Sequence, residues 1–365
     1  MVEQKTPVRF FLGANTPDGF TGFHHELYDT HDSWRIFLIK SGPGTGKSTL
    51  MRRVLELLTA HDVETELILC SSDPDSVDGV IDAEHKTAIL DATAPHVLEP
   101  KYWGAVERIV DLSSAMDADA LFENRKAIVA ATDACSATHA RSRRFLSAAA
   151  SVLGDNARIA ADCTDTDKAI RCADKIAEKE FGGDTAGGAI SRRFLSAITP
   201  HGLITRYETL QSLCPRIYAV EDEHGAVARV LMDRIVQRAV AAGYRPFVCP
   251  CPLAPADKVE HVLLPDLGVG FTVSNSFHKA EFPVYRRIHA ARFTDTDALK
   301  HKKQRLQFNR RIARELLDEA VSLSILAKAQ HDKMEQLNIA AMDWGQATAI
   351  ADRVLESFQQ IIEST

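Results

Sequence analysis

No apolar run in this chain approaches the ~18 residues that a membrane-crossing helix needs, so no membrane partner is expected. The opening stretch MVEQKTPVRFF lacks the basic start, apolar middle and small-residue cleavage site of a secretory leader. Cysteine is sparse: the 7 residues are odd in number and mostly scattered, which argues against a disulfide framework and fits a reducing compartment. These absences lead to the expectation of a cytoplasmic protein. The one close pair, Cys249 and Cys251 in CPCP, is tighter than a Cys-x-x-Cys metal knuckle, and no second pair completes it. An excess of positive charge is also lacking. With 43 Lys and Arg against 50 Asp and Glu, the net charge of -7 excludes a general polyanion binder and leaves only a local basic patch open. What remains, 45% hydrophobic and 25% charged over 365 residues, is ordinary globular composition with room for about two domains.

The chain is written twice. RFFLGANTPDG at Arg9–Gly19 is matched by RRFLSAITPHG at Arg192–Gly202, and RIFLIKSGPGTGKSTLMRRV from Arg35 by RIYAVEDEHGAVARVLMDRI from Arg216. TELILCSSDPDSVDGVI is answered by RPFVCPCPLAPADKVEHVL, and HKTAILDATAPH (His85–His96) by LGVGFTVSNSFH (Leu267–His278). The shared order points to tandem duplication. A boundary falls at the Gly-rich FGGDTAGGA, Phe181–Ala189, giving halves 1–180 and 190–365. The heptamer SRRFLSA occurs at Ser142, in a helical context, and again at Ser191, where the second repeat begins.

In the first half Arg35–Ile39, Thr65–Leu69 and Thr87–Leu90 read as buried strands, and Gly46–Thr59 as a helix with Leu50, Val54 and Leu57 on one face. Strands alternating with helices predict an α/β fold, a parallel sheet with helices on both faces in each half. After Trp103 the composition turns helical, as it does over Asp297–Leu337, which predicts a helical hairpin attached to each core.

SGPGTGKST carries the strongest chemical signal. Glycines let backbone N–H groups approach a phosphate, and the helix that follows turns its positive end toward it. Gly42, Pro43, Gly44, Thr45, Gly46, Lys47, Ser48 and Thr49 are therefore the candidate nucleotide-binding residues, with Lys47 reaching the β- and γ-phosphates and Ser48 holding Mg²⁺. Ser41 stands where the strict pattern has its first Gly. Asp91, ending the strand TAILD, is the second candidate Mg²⁺ ligand; a plain strand end or helix cap is the bland alternative. Ala92 follows it, where many motor ATPases carry a water-activating Glu. In SSDPDSVDG, Asp73 and Asp75 lie after a strand, on the rim where ligands bind in such sheets; they orient water, hold a substrate hydroxyl, or simply cap a turn. His96 is a candidate γ-phosphate sensor.

In the second half the loop reads EDEHGAVA. Without a gap, Lys47 falls on Ala228, Ser48 on Arg229, Gly46 on Val227 and Asp91 on Val273. The phosphate grip is gone while the apolar frame stays, which predicts a non-binding pseudo-domain. Arg229, beside Glu221, Asp222 and Glu223, is expected to form an internal ion pair in place of phosphate. Lys300–Arg314, KHKKQRLQFNRRIAR, and the group Arg141, Arg143 and Arg144 are strongly basic: solvated helix faces, or a nucleic-acid contact or arginine finger.

GANTPDGF, GPGTGKSTLMR, CSSDPDSVDGV and DATAPH, followed by a diverged second half, resemble a family of functionally uncharacterised bacterial tandem P-loop ATPases over almost the full length. The resemblance implies ATP binding through Lys47, Ser48 and Asp91 and names no substrate. In such relatives the second half often keeps its own Gly-Lys-[Ser/Thr] loop, which this chain lacks. The expectation is an ATP- and Mg²⁺-binding protein with slow ATPase activity in its first half and a protein or small-molecule partner of unknown identity. The alternatives are a small-molecule kinase using Asp73 or Asp75, or a nucleotide-gated nucleic-acid-binding protein, with nucleic acid not favoured. No [Asn/Thr]-Lys-x-Asp signal for guanine is present.

Overall fold

The computed structural model describes residues 6–182 and 187–364; part of the expected linker Phe181–Ala189 lies outside them. In the first half the strands are β1 (Val8–Phe10), β2 (Gly13–Thr16), β3 (Gly19–Gly22), β4 (Arg35–Lys40), β5 (Thr65–Leu69), β6 (Val77–Asp82), β7 (Thr87–Asp91) and β8 (Glu107–Asp111). Its helices are α1 (Lys47–Ala60), α2 (Ala118–Glu123), α3 (Arg125–Ala161) and α4 (Thr166–Glu180). The second half has β9 (Ser191–Arg192), β10 (Ser196–Thr199), β11 (Gly202–Thr205), β12 (Arg216–Glu221), β13 (Phe247–Pro250), β14 (Val259–Leu264), β15 (Val269–Ser274) and β16 (Arg286–His289). Its helices are α5 (Tyr207–Leu213), α6 (Ala226–Ala241), α7 (Thr296–Lys300), α8 (Lys303–Ala340) and α9 (Trp344–Glu363). Among the described residues no helix is long and apolar enough to cross a membrane.

Two six-stranded sheets form, in the orders β1-β5-β6-β7-β4-β8 and β9-β13-β14-β15-β12-β16, the same order written twice. The expected strands and helix of the first half are present. The expectation of a parallel sheet needs one correction: β6 runs antiparallel to both β5 and β7, and β14 does the same in the second sheet. The connections on either side of β6 are too short for the crossover that a parallel strand requires. A second correction concerns the stretch after Trp103, read as helical. Its start, Glu107–Asp111, is the edge strand β8, parallel to β4.

The chain divides into two compact units, and neither is simply one half. The first takes the described residues up to Gly13, then Gly22–Arg141 and everything from Ser322; the second takes Ala14–Thr21 and Ser142–Val321. The helical hairpins are therefore not each attached to their own core. In the first unit α9 packs on α1, with the Phe358 ring 4.9 Å from that of Phe37. In the second unit α4 packs on α6. Ala169, Ala173 and Ala177, four residues apart on one face of α4, let it approach Val227, Leu231 and Ile235 closely. Asp165 and Asp343 start α4 and α9 by accepting backbone N–H bonds from Lys168 and Gln346.

Candidate functional site

In the first unit β4 leads into a loop, Ser41–Gly46, that ends in α1. Gly44 and Gly46 hold left-handed backbone at φ +75 and +88. A Cβ on Gly44 would also meet the Glu335 carbonyl oxygen at 2.8 Å, so only glycine fits there. Thr45 Oγ1 donates to Gly42 O at 2.9 Å and pins the loop from inside. Lys47, first residue of α1, sends its Nζ back along the loop to donate to Ser41 O (3.2 Å) and Gly42 O (2.7 Å). The same Nζ lies 3.6 Å from Asp91 Oδ2, both side chains being 13% exposed. β7 runs parallel beside β4 with Asp91 opposite Ile39, which is what brings carboxylate and ammonium together. Asp91 is held by Thr93, whose backbone N–H donates to Oδ1 at 2.9 Å and whose hydroxyl donates to the same oxygen. Ser48 Oγ accepts from Val77 N at 3.1 Å, and Thr49 is exposed.

Lys47 and Asp91 thus converge, while the Ser48 hydroxyl, one residue on, is engaged with Val77 N. Asp73 and Asp75 do not join them in the same way. Asp73 Oδ2 lies 3.4 Å from Lys328 Nζ, while its buried Oδ1 and the buried Ser71 Oγ have no hydrogen-bond partner among the described residues. Asp75 is exposed, and its backbone carbonyl accepts from Arg52. His96 Nε2 sits 3.2 Å from Asp78 Oδ2, with the His24 ring 5.2 Å away. Burial lowers the His96 pKa, and the charge and hydrogen bond of Asp78, with Asp91, outweigh it and leave the ring above the ordinary histidine value.

The motif reading missed the contribution of α8 and α9. Asn338 Nδ2 donates to Pro43 O at 2.8 Å, Glu335 closes on Gly44, and a Cβ on Gly46 would stand 3.4 Å from the Trp344 ring. These residues belong to the other half of the sequence and to no motif, so nothing in the string marked them.

The corresponding loop of the second unit is shorter, Asp222–Gly225 between β12 and α6. Gly225, at φ +79, caps α6 as Gly46 caps α1. The ungapped alignment is therefore displaced by the shortened loop: Ala226 stands in the place of Lys47 and Val227 in that of Ser48. Among the described residues the expected ion pair of Arg229 with Glu221, Asp222 or Glu223 does not form. Glu221 pairs with Arg287 at 2.9 Å, and Glu223 with Arg310 at 2.8 Å. Asp222, 4% exposed, turns its carboxylate into its own loop. Oδ1 accepts from His224 N (3.1 Å) and Gly225 N (3.0 Å), and Oδ2 from Ala228 N (2.8 Å). A carboxylate of the chain thus takes up backbone donors of this loop and of the first turn of α6. Of the basic run, Lys300, Arg305, Arg310 and Arg314 are engaged with Asp297, Asp155, Glu223 and Ser276 O within this unit.

The fold and site define a mixed α/β protein whose first unit presents a strand, a glycine loop and a helix start around a lysine and an aspartate. Compared with protein-family models, with curated proteins and with solved structures, the chain matches none.

Proposed function

We propose that the first unit is a P-loop nucleotide site that binds ATP with Mg²⁺ at Gly42–Thr49 and hydrolyses it slowly, and that the second unit binds no nucleotide and serves a regulatory or transmitting role. One observation carries this reading: an ammonium at a helix start, folded onto the carbonyls of its own glycine loop and facing a strand-end carboxylate at 3.6 Å. The residues fit the ligand. Ser41 Oγ is buried with no hydrogen-bond partner among the described residues, and the left-handed glycines keep side chains out of the loop. Lys47 would exchange loop carbonyls for β- and γ-phosphate oxygens, and the start of α1 would add backbone donors. Ser48 and Asp91 would hold Mg²⁺, which when bound neutralises phosphate charge. Thr93 keeps the Asp91 carboxylate oriented for that task. Ala92 offers no base, which is why turnover is expected to be slow.

Asp91→Asn tests this reading through turnover. Hydrolysis should fall by about a hundredfold or more while Mg²⁺-free nucleotide binding changes little. Unchanged turnover would place the metal ligand elsewhere. A second prediction uses Trp344. Its ring, beside Gly46, should report nucleotide through altered tryptophan emission, and Trp344→Ala should weaken ATP binding by about fivefold or more if the base stacks on it. Emission that ignores ATP would remove Trp344 from the site.

A phosphotransferase reading is favoured by one feature, the buried Asp73 Oδ1 and Ser71 Oγ without partners among the described residues. γ-Labelled ATP offered with metabolite pools separates the two: a kinase moves label onto an acceptor, an ATPase releases it as phosphate.

A further inference from the structure

In the first unit Cys70 Sγ, an Asp78 carboxylate oxygen and a His96 ring nitrogen all lie within 4.8 Å of one another. Cys70 follows β5, Asp78 lies in β6 and His96 follows β7, so three neighbouring strands deliver one donor each. Asp78 and His96 side chains are 8% and 6% exposed.

The second unit carries a cysteine, a carboxylate and a histidine at the corresponding positions, although among the described residues their ligand atoms are not gathered within 4.8 Å as in the first. In the first sheet Ile68 pairs with Gly79, and Gly79 with Leu90; in the second Cys249 pairs with His261, and His261 with Thr272. The register shifts just after Ile68 and just after Cys249, so Cys70 corresponds to Cys251 and Asp78 to Glu260. Cys70 N donates to Ser76 O, and Cys251 N to Lys258 O. His96 closes the repeat DATAPH as His278 closes SNSFH, and His278 Nε2 lies 3.1 Å from Glu260 Oε1. The phosphate loop was dismantled in this unit, yet cysteine, carboxylate and histidine all persist.

What differs is a fourth residue. The position of Ser76 is taken by Lys258, whose Nζ lies 2.8 Å from the Glu260 oxygen that His278 also approaches. Lys258 bears on Cys251 as well: burial and the Glu260 charge push that thiol up to about 12, and the Lys258 charge opposes them. In the second unit, then, the carboxylate is already paired with a cation supplied by the chain. The short Ser76 side chain supplies none in the first.

We propose that Cys70, Asp78 and His96 bind a divalent transition-metal ion of the zinc class, at a site distinct from the Mg²⁺ position at Ser48 and Asp91. Thiolate, imidazole and carboxylate together suit a borderline ion such as Zn²⁺ or Co²⁺, and a hard ion such as Mg²⁺ poorly. Three protein ligands leave a fourth position open. Cys70 binds as thiolate and releases its proton to solvent. The inference does not rest on the nucleotide reading, because neither Lys47 nor Ser48 is a ligand.

The test uses the full chain, stripped with chelator and titrated anaerobically with Co²⁺ under a non-thiol reductant. One equivalent should produce thiolate-to-cobalt charge-transfer absorption in the near ultraviolet, which Zn²⁺ abolishes and excess Mg²⁺ does not. Cys70→Ser should lose that band, and Asp78→Asn and His96→Ala should weaken Co²⁺ binding by about tenfold or more. Cys249→Ser and Lys47→Ala should keep the band, the latter while losing ATP, so the two sites fail separately. Lys258→Ser should open the duplicate site and raise the stoichiometry from one to two. No stoichiometric band in the unaltered chain, or a band that survives Cys70→Ser, overturns the proposal; a Lys258→Ser protein that folds and stays at one overturns the role given to Lys258.

Discussion

Asp222→Ala should destabilise the second unit more than removal of any neighbouring acidic side chain. The substitution strips the acceptor from three backbone N–H groups at the start of α6. At ~1 kcal/mol or more for each donor left unpaired, the cost is about 3 kcal/mol. For a unit of this size that lowers the unfolding temperature by about 6–12 °C. Asp222→Asn keeps an oxygen acceptor and should lose less. High concentrations of inorganic phosphate should raise the unfolding temperature of Asp222→Ala more than that of the unaltered protein, because the anion takes the vacated position. By the same reasoning Ala228→Lys with Arg229→Ser should not create nucleotide binding, since Asp222 still holds the loop and neither change falls on the structural counterparts of Lys47 and Ser48. An Asp222→Ala protein that unfolds at the unaltered temperature would mean that the carboxylate does not hold the loop.

Lys47→Ala should reduce ATP affinity by about two to four orders of magnitude. Two charge-assisted hydrogen bonds from one ammonium to phosphate are worth ~1.5–3 kcal/mol each. The protein should stay folded, because Lys47 is the first residue of α1 and the buried residues of that helix, Leu50, Met51, Val54 and Leu58, are untouched. Lys258→Ala, which removes the partly buried ammonium paired with Glu260 in the second unit, should leave ATP affinity where it was. Equal losses from the two substitutions would show that both units contribute to one nucleotide site, contrary to the proposal.

Much of the first site was legible because it is local. The loop, the strand before it and the helix after it are contiguous, and Asp91 ends a strand whose apolar run is plain in the string. The rest depends on partners distant in sequence. SRRFLSA makes the point most directly: the stretch beginning at Ser142 lies inside α3, while the copy beginning at Ser191 forms β9 and the start of β10. Identical residues take opposite structures because their neighbours differ, and propensity yields to tertiary context. β8 was missed for a similar reason, since ERIVD runs into helix-rich sequence without a turn signal. The apolar faces of α4 and α9 announced burial but not which core would cover them. The Asp222 capping was hidden by an alignment without a gap. The left-handed Gly225 before α6 marks the shortened second loop, and three backbone N–H bonds mark its acidic residue as folded inward.

The central claim, one working nucleotide site and one filled from within, is tested most directly by calorimetric titration of the full chain with ATP and Mg²⁺. One nucleotide per chain is expected, lost in Lys47→Ala and retained in Lys258→Ala. Two nucleotides per chain, or one that persists in Lys47→Ala, would contradict it.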